Sequence, residues 1–281
     1  LPHWENRRRR SNPAPLTYGR GVALFEAMSA RLRPDSPVAR KVFPSPNHGE
    51  RRAPVSALIL HYTGMPTGEA ALKLLCDPIA EVSAHYFVWE NGMILQRVPE
   101  SRRAWHAGKS SWAGETDLNS ASIGVEIVNP GHDGGCPPFP DAQMDAVAKL
   151  AADVCRRHRI RPERVLAHSD IAPGRKRDPG ETFPWERLHR DGIGHWVAPA
   201  PVEAGPRFEP GALGPPVTAL QTMLAAYGYG LDQTGVYDER TRIVVEAFQR
   251  HFRPERVDGI ADLSTLRTLR ALIDALPQAM A

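Results

Sequence analysis

The sequence predicts an α/β domain, with a mixed central sheet flanked by helices, followed by a small all-α domain of three helices. Three observations predict it. Short apolar segments of strand type alternate with helical periodicity up to about residue 196. Pro and Gly then cluster at 197–216. Beyond that cluster the apolar residues recur only at helical spacing.

The first strand is Ser56–Tyr62, a continuous apolar run that reads as buried. A helix is expected over Ala70–Cys76. Tyr86–Trp89 and Met93–Val98 flank Asn91-Gly92, a strong hairpin signal. Ser122–Val128 is a strand rich in β-branched residues. Asp141–His158 is the clearest helix, with Met144, Val147, Ala151 and Val154 on one face. Arg164–His168 is a short strand. In the C-terminal block, Val217, Leu220, Leu224 and Tyr227 share one helical face. Val244, Phe248 and Phe252 share a second, and Leu266, Leu269, Ile273 and Leu276 a third. The expected division is a basic extension at 1–44, a catalytic domain at 45–196, a Pro-rich linker at 197–210 and a three-helix domain at 211–281.

Composition narrows the function classes. The chain has 281 residues, 42% hydrophobic and 24% charged, within the soluble globular range. It contains no run of about 18 apolar residues, so no transmembrane segment is expected. Residues 1–52 hold eleven Lys and Arg against four acids, whereas the remainder holds 24 against 28. The basic excess therefore belongs to the N-terminal segment, where the Arg7–Arg10 run could touch nucleic acid or anionic polymer, and no nucleic-acid partner is expected. The Arg7–Arg10 run reads first as a solvated terminus. Val22–Phe25 is too short for a secretion signal core, so 1–44 is expected to carry no export machinery of its own. Three cysteines, Cys76, Cys136 and Cys155, form no CxxC pair, which disfavours a closed structural metal site.

Two histidines stand out. His61 ends one apolar strand and His168 ends another. Singly, each would read as a satisfied core residue; the shared context argues for more. The loop after His168 is stiffened by Pro173 and Pro179 and can turn at Gly174 and Gly180, bringing Asp178 back. Two imidazoles, a carboxylate and an open position make a catalytic zinc pattern. Glu126 lies in the strand Ile123–Val128, and its side chain faces either the buried side or solvent, two readings that periodicity does not separate. Lys176, two residues before Asp178, either shares its pocket or is a solvated loop lysine.

The segments Leu-Ile-Leu-His61-Tyr-Thr-Gly, Val-Ser-Ala-His85-Tyr, Arg-Ala-Trp105-His-Ala-Gly, Leu-Asn119-Ser-Ala-Ser-Ile-Gly-Val-Glu126-Ile-Val-Asn-Pro-Gly and His168-Ser-Asp-Ile-Ala-Pro-Gly-Arg-Lys176-Arg-Asp178-Pro-Gly occur in this order. Over about residues 44–196 the chain resembles the type 2 N-acetylmuramoyl-L-alanine amidases, zinc enzymes on the fold shared with peptidoglycan recognition proteins. The resemblance implies hydrolysis of the amide between N-acetylmuramic acid, or its 1,6-anhydro form, and L-Ala, with one Zn2+ per catalytic domain. It implies His61, His168 and Asp178 as zinc ligands, Glu126 as general base and Lys176 as oxyanion stabiliser. It places Trp105, His106 and Asn119 along the substrate groove and excludes His85 as a ligand. The C-terminal block, with Leu220-Gln-Thr-Met-Leu-Ala-Ala-Tyr-Gly-Tyr and Ala247-Phe-Gln-Arg-His-Phe, resembles the peptidoglycan-binding three-helix module. That module implies peptidoglycan or muropeptide as partner and the bacterial envelope or periplasm as location, with the cytoplasm as the alternative. Asp117, where the recycling branch tends to carry a basic residue, favours the envelope. Two rival readings are a non-catalytic recognition protein, which would lack a zinc ligand, and a zinc peptidase, which would need a different ligand motif.

Overall fold

The computed structural model of the chain describes residues 33–276. Most of the expected N-terminal extension, including Arg7–Arg10, lies outside the described residues. The strand β1 (Lys41–Val42) is followed by β2 (His48–Glu50), β3 (Ala57–Tyr62), α1 (Gly68–Leu74), β4 (Tyr86–Val88), β5 (Ile94–Gln96), β6 (Arg102–Ala104), α2 (Leu118–Ala121), β7 (Ser122–Ile127), α3 (Asp141–His158), β8 (Val165–Ala167), α4 (His168–Ile171) and α5 (Trp185–Arg190). The C-terminal unit contains β9 (Arg207–Phe208), α6 (Pro215–Tyr227), α7 (Glu239–Phe252), β10 (Ala261–Asp262) and α8 (Leu263–Asp274).

The main sheet has the order β1-β5-β4-β7-β3-β8 and is mixed. Its centre is parallel, with β3 between β7 and β8, and only the β4–β5 hairpin runs antiparallel. A central parallel strand is covered on both faces, which explains the unbroken apolar run of β3. Leu58 and Leu60 pack with Ile123, Val125 and Ile127 beneath α3. That helix presents Met144, Val147, Ala151 and Val154 to them, while Asp141 at its start and Arg156, Arg157 and His158 in its last turn complement the helix dipole. Asn91-Gly92 closes the hairpin as expected: Gly92 has φ 81° and Asn91 Oδ1 accepts a bond from the Met93 N–H.

The boundary expected after residue 44 falls inside this sheet. β1 pairs with β5, the Asp35 carboxylate accepts bonds from Gln96 and from the Glu100 N–H, and the Ser36 hydroxyl donates to Asp153. Residues 35–43 thus belong to the first unit. The Pro-rich segment is also tied down. β9 pairs antiparallel with β10, and Ala200 exchanges hydrogen bonds with Thr268 and Ser264 of α8, which straps it to the helices. Its Pro-rich composition stiffens the chain, but the docking comes from partners distant in sequence.

The other face of the sheet shares one apolar cluster with the C-terminal helices. Ala57, Ile59, Leu166 and Ile171 pack in the same core as Val217, Leu224, Val244 and Phe248. Trp112 meets Tyr229 edge-on, with ring centroids 4.8 Å apart. Gly228 (φ 139°) is required at this contact, because a Cβ there would lie 2.5 Å from the Trp112 ring. His195 Nδ1 and the Tyr227 hydroxyl are 2.8 Å apart across the same junction.

On the α3 side, Glu100 gathers the Tyr86 hydroxyl (2.5 Å), both terminal nitrogens of Arg157, and His158 Nε2 (2.7 Å). Burial alone would raise its pKa, but Arg157, His158 and Tyr86 outweigh it and hold the carboxyl well below its ordinary value of 4.5. A depressed folded-state pKa gives stability that is present above about pH 4.5 and lost as the pH falls below it. Glu100→Gln is therefore expected to cost about 3–5 kcal/mol at pH 7. That deficit shrinks in acid when urea unfolding is compared at the two pH values, and a deficit equal at both would contradict this account.

Candidate active site and its ligand triangle

The parallel register of the sheet builds the site. In β3 and β7 His61 pairs with Glu126, so the two side chains leave the sheet on the same face. Leu60 pairs with Ala167, which sets the next residues, His61 and His168, side by side at the carboxyl ends of β3 and β8. Ligand sites in open α/β sheets form at such strand ends. His168 does not end its strand, as expected from sequence, but opens α4. Asp178 returns to the pair along the loop that follows.

The three donor atoms form a near-equilateral triangle. His61 Nδ1 lies 2.9 Å from His168 Nδ1 and 3.0 Å from Asp178 Oδ2, and His168 Nδ1 lies 2.9 Å from the same oxygen. All three residues are buried. Burial, and then the neighbouring His168, push the His61 pKa down to about 4, which leaves the imidazole neutral near pH 7. Burial would raise the Asp178 pKa, yet His168 and His61 hold the carboxyl well below the usual carboxylate range. A neutral His61 imidazole and an ionised Asp178 carboxylate match the protonation states a metal requires of its ligands. Two imidazole nitrogens 2.9 Å from each other cannot both point a proton into the gap between them, so the donor set fits a cation.

One short segment aims both imidazoles. With the Nδ1 atoms turned inward, His61 Nε2–H donates to His106 Nδ1 at 3.0 Å, His106 Nε2–H to Ser122 Oγ at 3.2 Å, and the Ser122 hydroxyl to the Leu118 carbonyl. His168 Nε2 points to the Ala107 carbonyl at 3.3 Å. The 106–107 backbone is itself held by Asn119, whose Oδ1 accepts the N–H of His106 (2.8 Å) and of Ala107 (2.7 Å). Such partners fix ring orientation and tautomer at metal sites.

A groove of about 360 Å³ opens over the triangle, lined by Trp105, His106, Glu126 and Lys176 as well as the three donors. Glu126 faces this groove, which settles the two readings of its strand position. Burial and then the charge of Asp178 raise its pKa to about 8, with Lys176 opposing. A carboxylate tuned near neutrality suits proton transfer at ordinary pH. Asn119 is not among the residues that line this cavity; its Oδ1 braces the backbone of His106, which does line it, and of Ala107. Asp117 also has a local role, capping α2 at Ser120 N and pairing with Arg103 at 2.9 Å. His85, a core or groove residue by its sequence position, is fully buried, accepts the Gly124 N–H and meets Arg51.

The bracing residues lacked a local signal, with one exception. Gly124 interrupts the β-branched run of β7, and a Cβ there would lie 2.5 Å from the His106 ring. A glycine inside a strand marks such close approaches. A second His/Cys/carboxylate group occurs among the described residues, His132, Cys136 and Glu181. Its charge is already balanced: His132 Nε2 pairs with Glu181 at 2.9 Å and Arg250 Nε stands 3.5 Å from the same oxygen. All three cysteines are free.

Fold and site together define a mixed α/β sheet with a candidate metal site at its strand ends and an appended helical module. Residues 51–181 match the N-acetylmuramoyl-L-alanine amidase family model, and residues 214–269 match a putative peptidoglycan binding domain. The chain is 40% identical over 240 residues to N-acetylmuramoyl-L-alanine amidase AmiD of Escherichia coli K12, covering 80% of this chain and 84% of that protein. It is 34% identical over 166 residues to 1,6-anhydro-N-acetylmuramyl-L-alanine amidase AmpD of Enterobacter cloacae, covering 52% and 86%. A solved complex of Escherichia coli AmiD with anhydro-N-acetylmuramic acid-L-Ala-D-gamma-Glu-L-Lys superposes with a TM-score of 0.67 at 36% identity, covering 83% of this chain and 99% of that one. The chain therefore belongs to the N-acetylmuramoyl-L-alanine amidase family and is an enzyme of that class.

His106→Leu removes the acceptor of the His61 ring. Zinc affinity is expected to fall roughly 10–100-fold, read by competition with a chromogenic chelator. Unchanged affinity would remove His106 from the support of the site.

Proposed function

We propose that the chain hydrolyses the amide bond between the lactyl group of N-acetylmuramic acid, or of its 1,6-anhydro form, and L-Ala, with zinc held by His61, His168 and Asp178. The carrying observation is the buried triangle of two imidazole nitrogens and one carboxylate oxygen at the groove floor. A zinc ion held there supplies a Lewis acid for the scissile carbonyl and lowers the pKa of an attacking water. Among metal-binding proteins, three protein ligands with a further open position mark a catalytic site and not a structural one. The non-catalytic rival would need a missing ligand, and all three donors are present.

The chain's own groups do the rest. Glu126, on the same sheet face as His61, accepts the proton of the attacking water. It returns that proton to the leaving L-Ala nitrogen, which avoids expelling an amide anion. Lys176 donates to the oxygen on which negative charge develops. Trp105 forms an apolar wall of the groove. The C-terminal unit is assigned to peptidoglycan, so the proposed partner is wall polymer or muropeptide, and the proposed setting is turnover in the bacterial envelope. The supports are the peptidoglycan binding domain match and the similarity to AmiD across both units. No helix among the described residues is long and apolar enough to cross a membrane.

Glu126→Gln tests the assignment of the base. The variant is expected to bind one zinc per chain yet lose roughly 10²–10⁴-fold in kcat on a soluble anhydro-muropeptide. Chromatographic detection of stem peptide with a free L-Ala amino terminus reports the reaction. Turnover at the wild-type rate would show that another group takes the proton.

A further inference from the structure

The turn that carries His168 is clamped from the C-terminal unit. α4 has four residues, too few to be stable by themselves. Its Asp170 is fully buried. One carboxylate oxygen accepts the Ala167 N–H at 2.8 Å and the His251 Nδ1–H at 2.6 Å, and the other accepts the Tyr229 hydroxyl at 2.7 Å. A buried carboxylate is costly unless its lone pairs are met. Two of its three donors come from the unit whose family role is to bind wall polymer.

Both donors are held rigidly. His251 and Tyr229 are each 2% exposed. The His251 ring stacks on Trp185 with centroids 3.7 Å apart, and Tyr229 packs edge-on against Trp112. Beside them, Ile171 of α4 shares its apolar cluster with Val244 and Phe248 of α7. The clamp closes at Ala167, the residue immediately before His168.

We propose that Tyr229 and His251 are positioning residues of the metal site. They fix Asp170, Asp170 fixes the entry into α4, and that entry aims His168 Nδ1 at Asp178 and His61. The helical unit is then a structural part of the catalytic site as well as a binding module. Coupling of this kind is reciprocal, so zinc at the triangle tightens α7 in return. This inference rests on the zinc reading of the triangle.

The test uses the full chain and compares wild type with Tyr229→Phe, His251→Asn, His251→Leu and Tyr237→Phe. Tyr237 supplies the control: its hydroxyl donates to Gly259 at 2.7 Å, inside the helical unit and away from Asp170. Zinc affinity is read by chelator competition, and hydrogen exchange of residues 239–252 is followed with and without zinc. Tyr229→Phe is expected to weaken zinc binding roughly tenfold, to lower kcat on a soluble anhydro-muropeptide at little-changed KM, and to abolish zinc-induced protection of α7. His251→Asn, which keeps an N–H near Nδ1, retains more affinity than His251→Leu. Tyr237→Phe leaves zinc affinity at the wild-type value. Wild-type affinity in Tyr229→Phe, or an equal loss in Tyr237→Phe, overturns the proposal. A wild-type chain that binds no zinc overturns the zinc reading itself.

Discussion

The parallel pairing of β3 with β7 and β8 is the constraint on which the site depends. It sets His61 opposite Glu126 and places His61 beside His168, all at one end of the sheet. A one-residue slip in either pairing would turn a ligand or the base to the opposite face. The slip is opposed by the apolar faces themselves. Leu58 and Leu60 must meet Ile123, Val125 and Ile127 under α3, while Ala57 and Ile59 must meet Leu166 on the other side. The same burial that specifies register therefore specifies chemistry. It also dehydrates the site, which keeps His61 neutral and raises Glu126.

Much of this was legible in the sequence, for physical reasons. β3, β7 and α3 bury whole faces, so their periodicity was strong, and α3 spans Asp141–His158 as read. The hairpin was visible because Asn-Gly adopts a positive φ cheaply. His61 and His168 are conspicuous because each follows an apolar strand segment, and Asp178 through the Pro- and Gly-rich loop and the family motif. Elements with little apolar content escaped: β1, the β2–β6 pair with Arg102 and Arg103, and the four-residue α2. Their hydrogen bonds go to partners distant in sequence. For the same reason nothing local marks the bonds that the Asn119 amide oxygen accepts from the backbone of His106 and Ala107.

The junction between the units leaves the least trace in the sequence. Proline content and a composition break mark where a chain leaves one unit, but not whether the next one docks. The C-terminal apolar faces looked like the inside of an independent three-helix core. Some of those residues in fact complete a core shared with the sheet. One signal was available: His251 sits among the buried positions of α7 beside Phe248 and Phe252, and a polar side chain on an apolar face needs a partner. That partner, Asp170, lies 81 residues away.

The central claim is that the buried triangle holds the zinc that amide hydrolysis requires. Its most direct test is metal removal and return on the full chain, with product analysis on a soluble anhydro-muropeptide. The account predicts that the stripped protein releases no stem peptide, and that one equivalent of zinc restores release of a peptide beginning with free L-Ala. Full turnover by the metal-free protein, or cleavage at another bond, would contradict it.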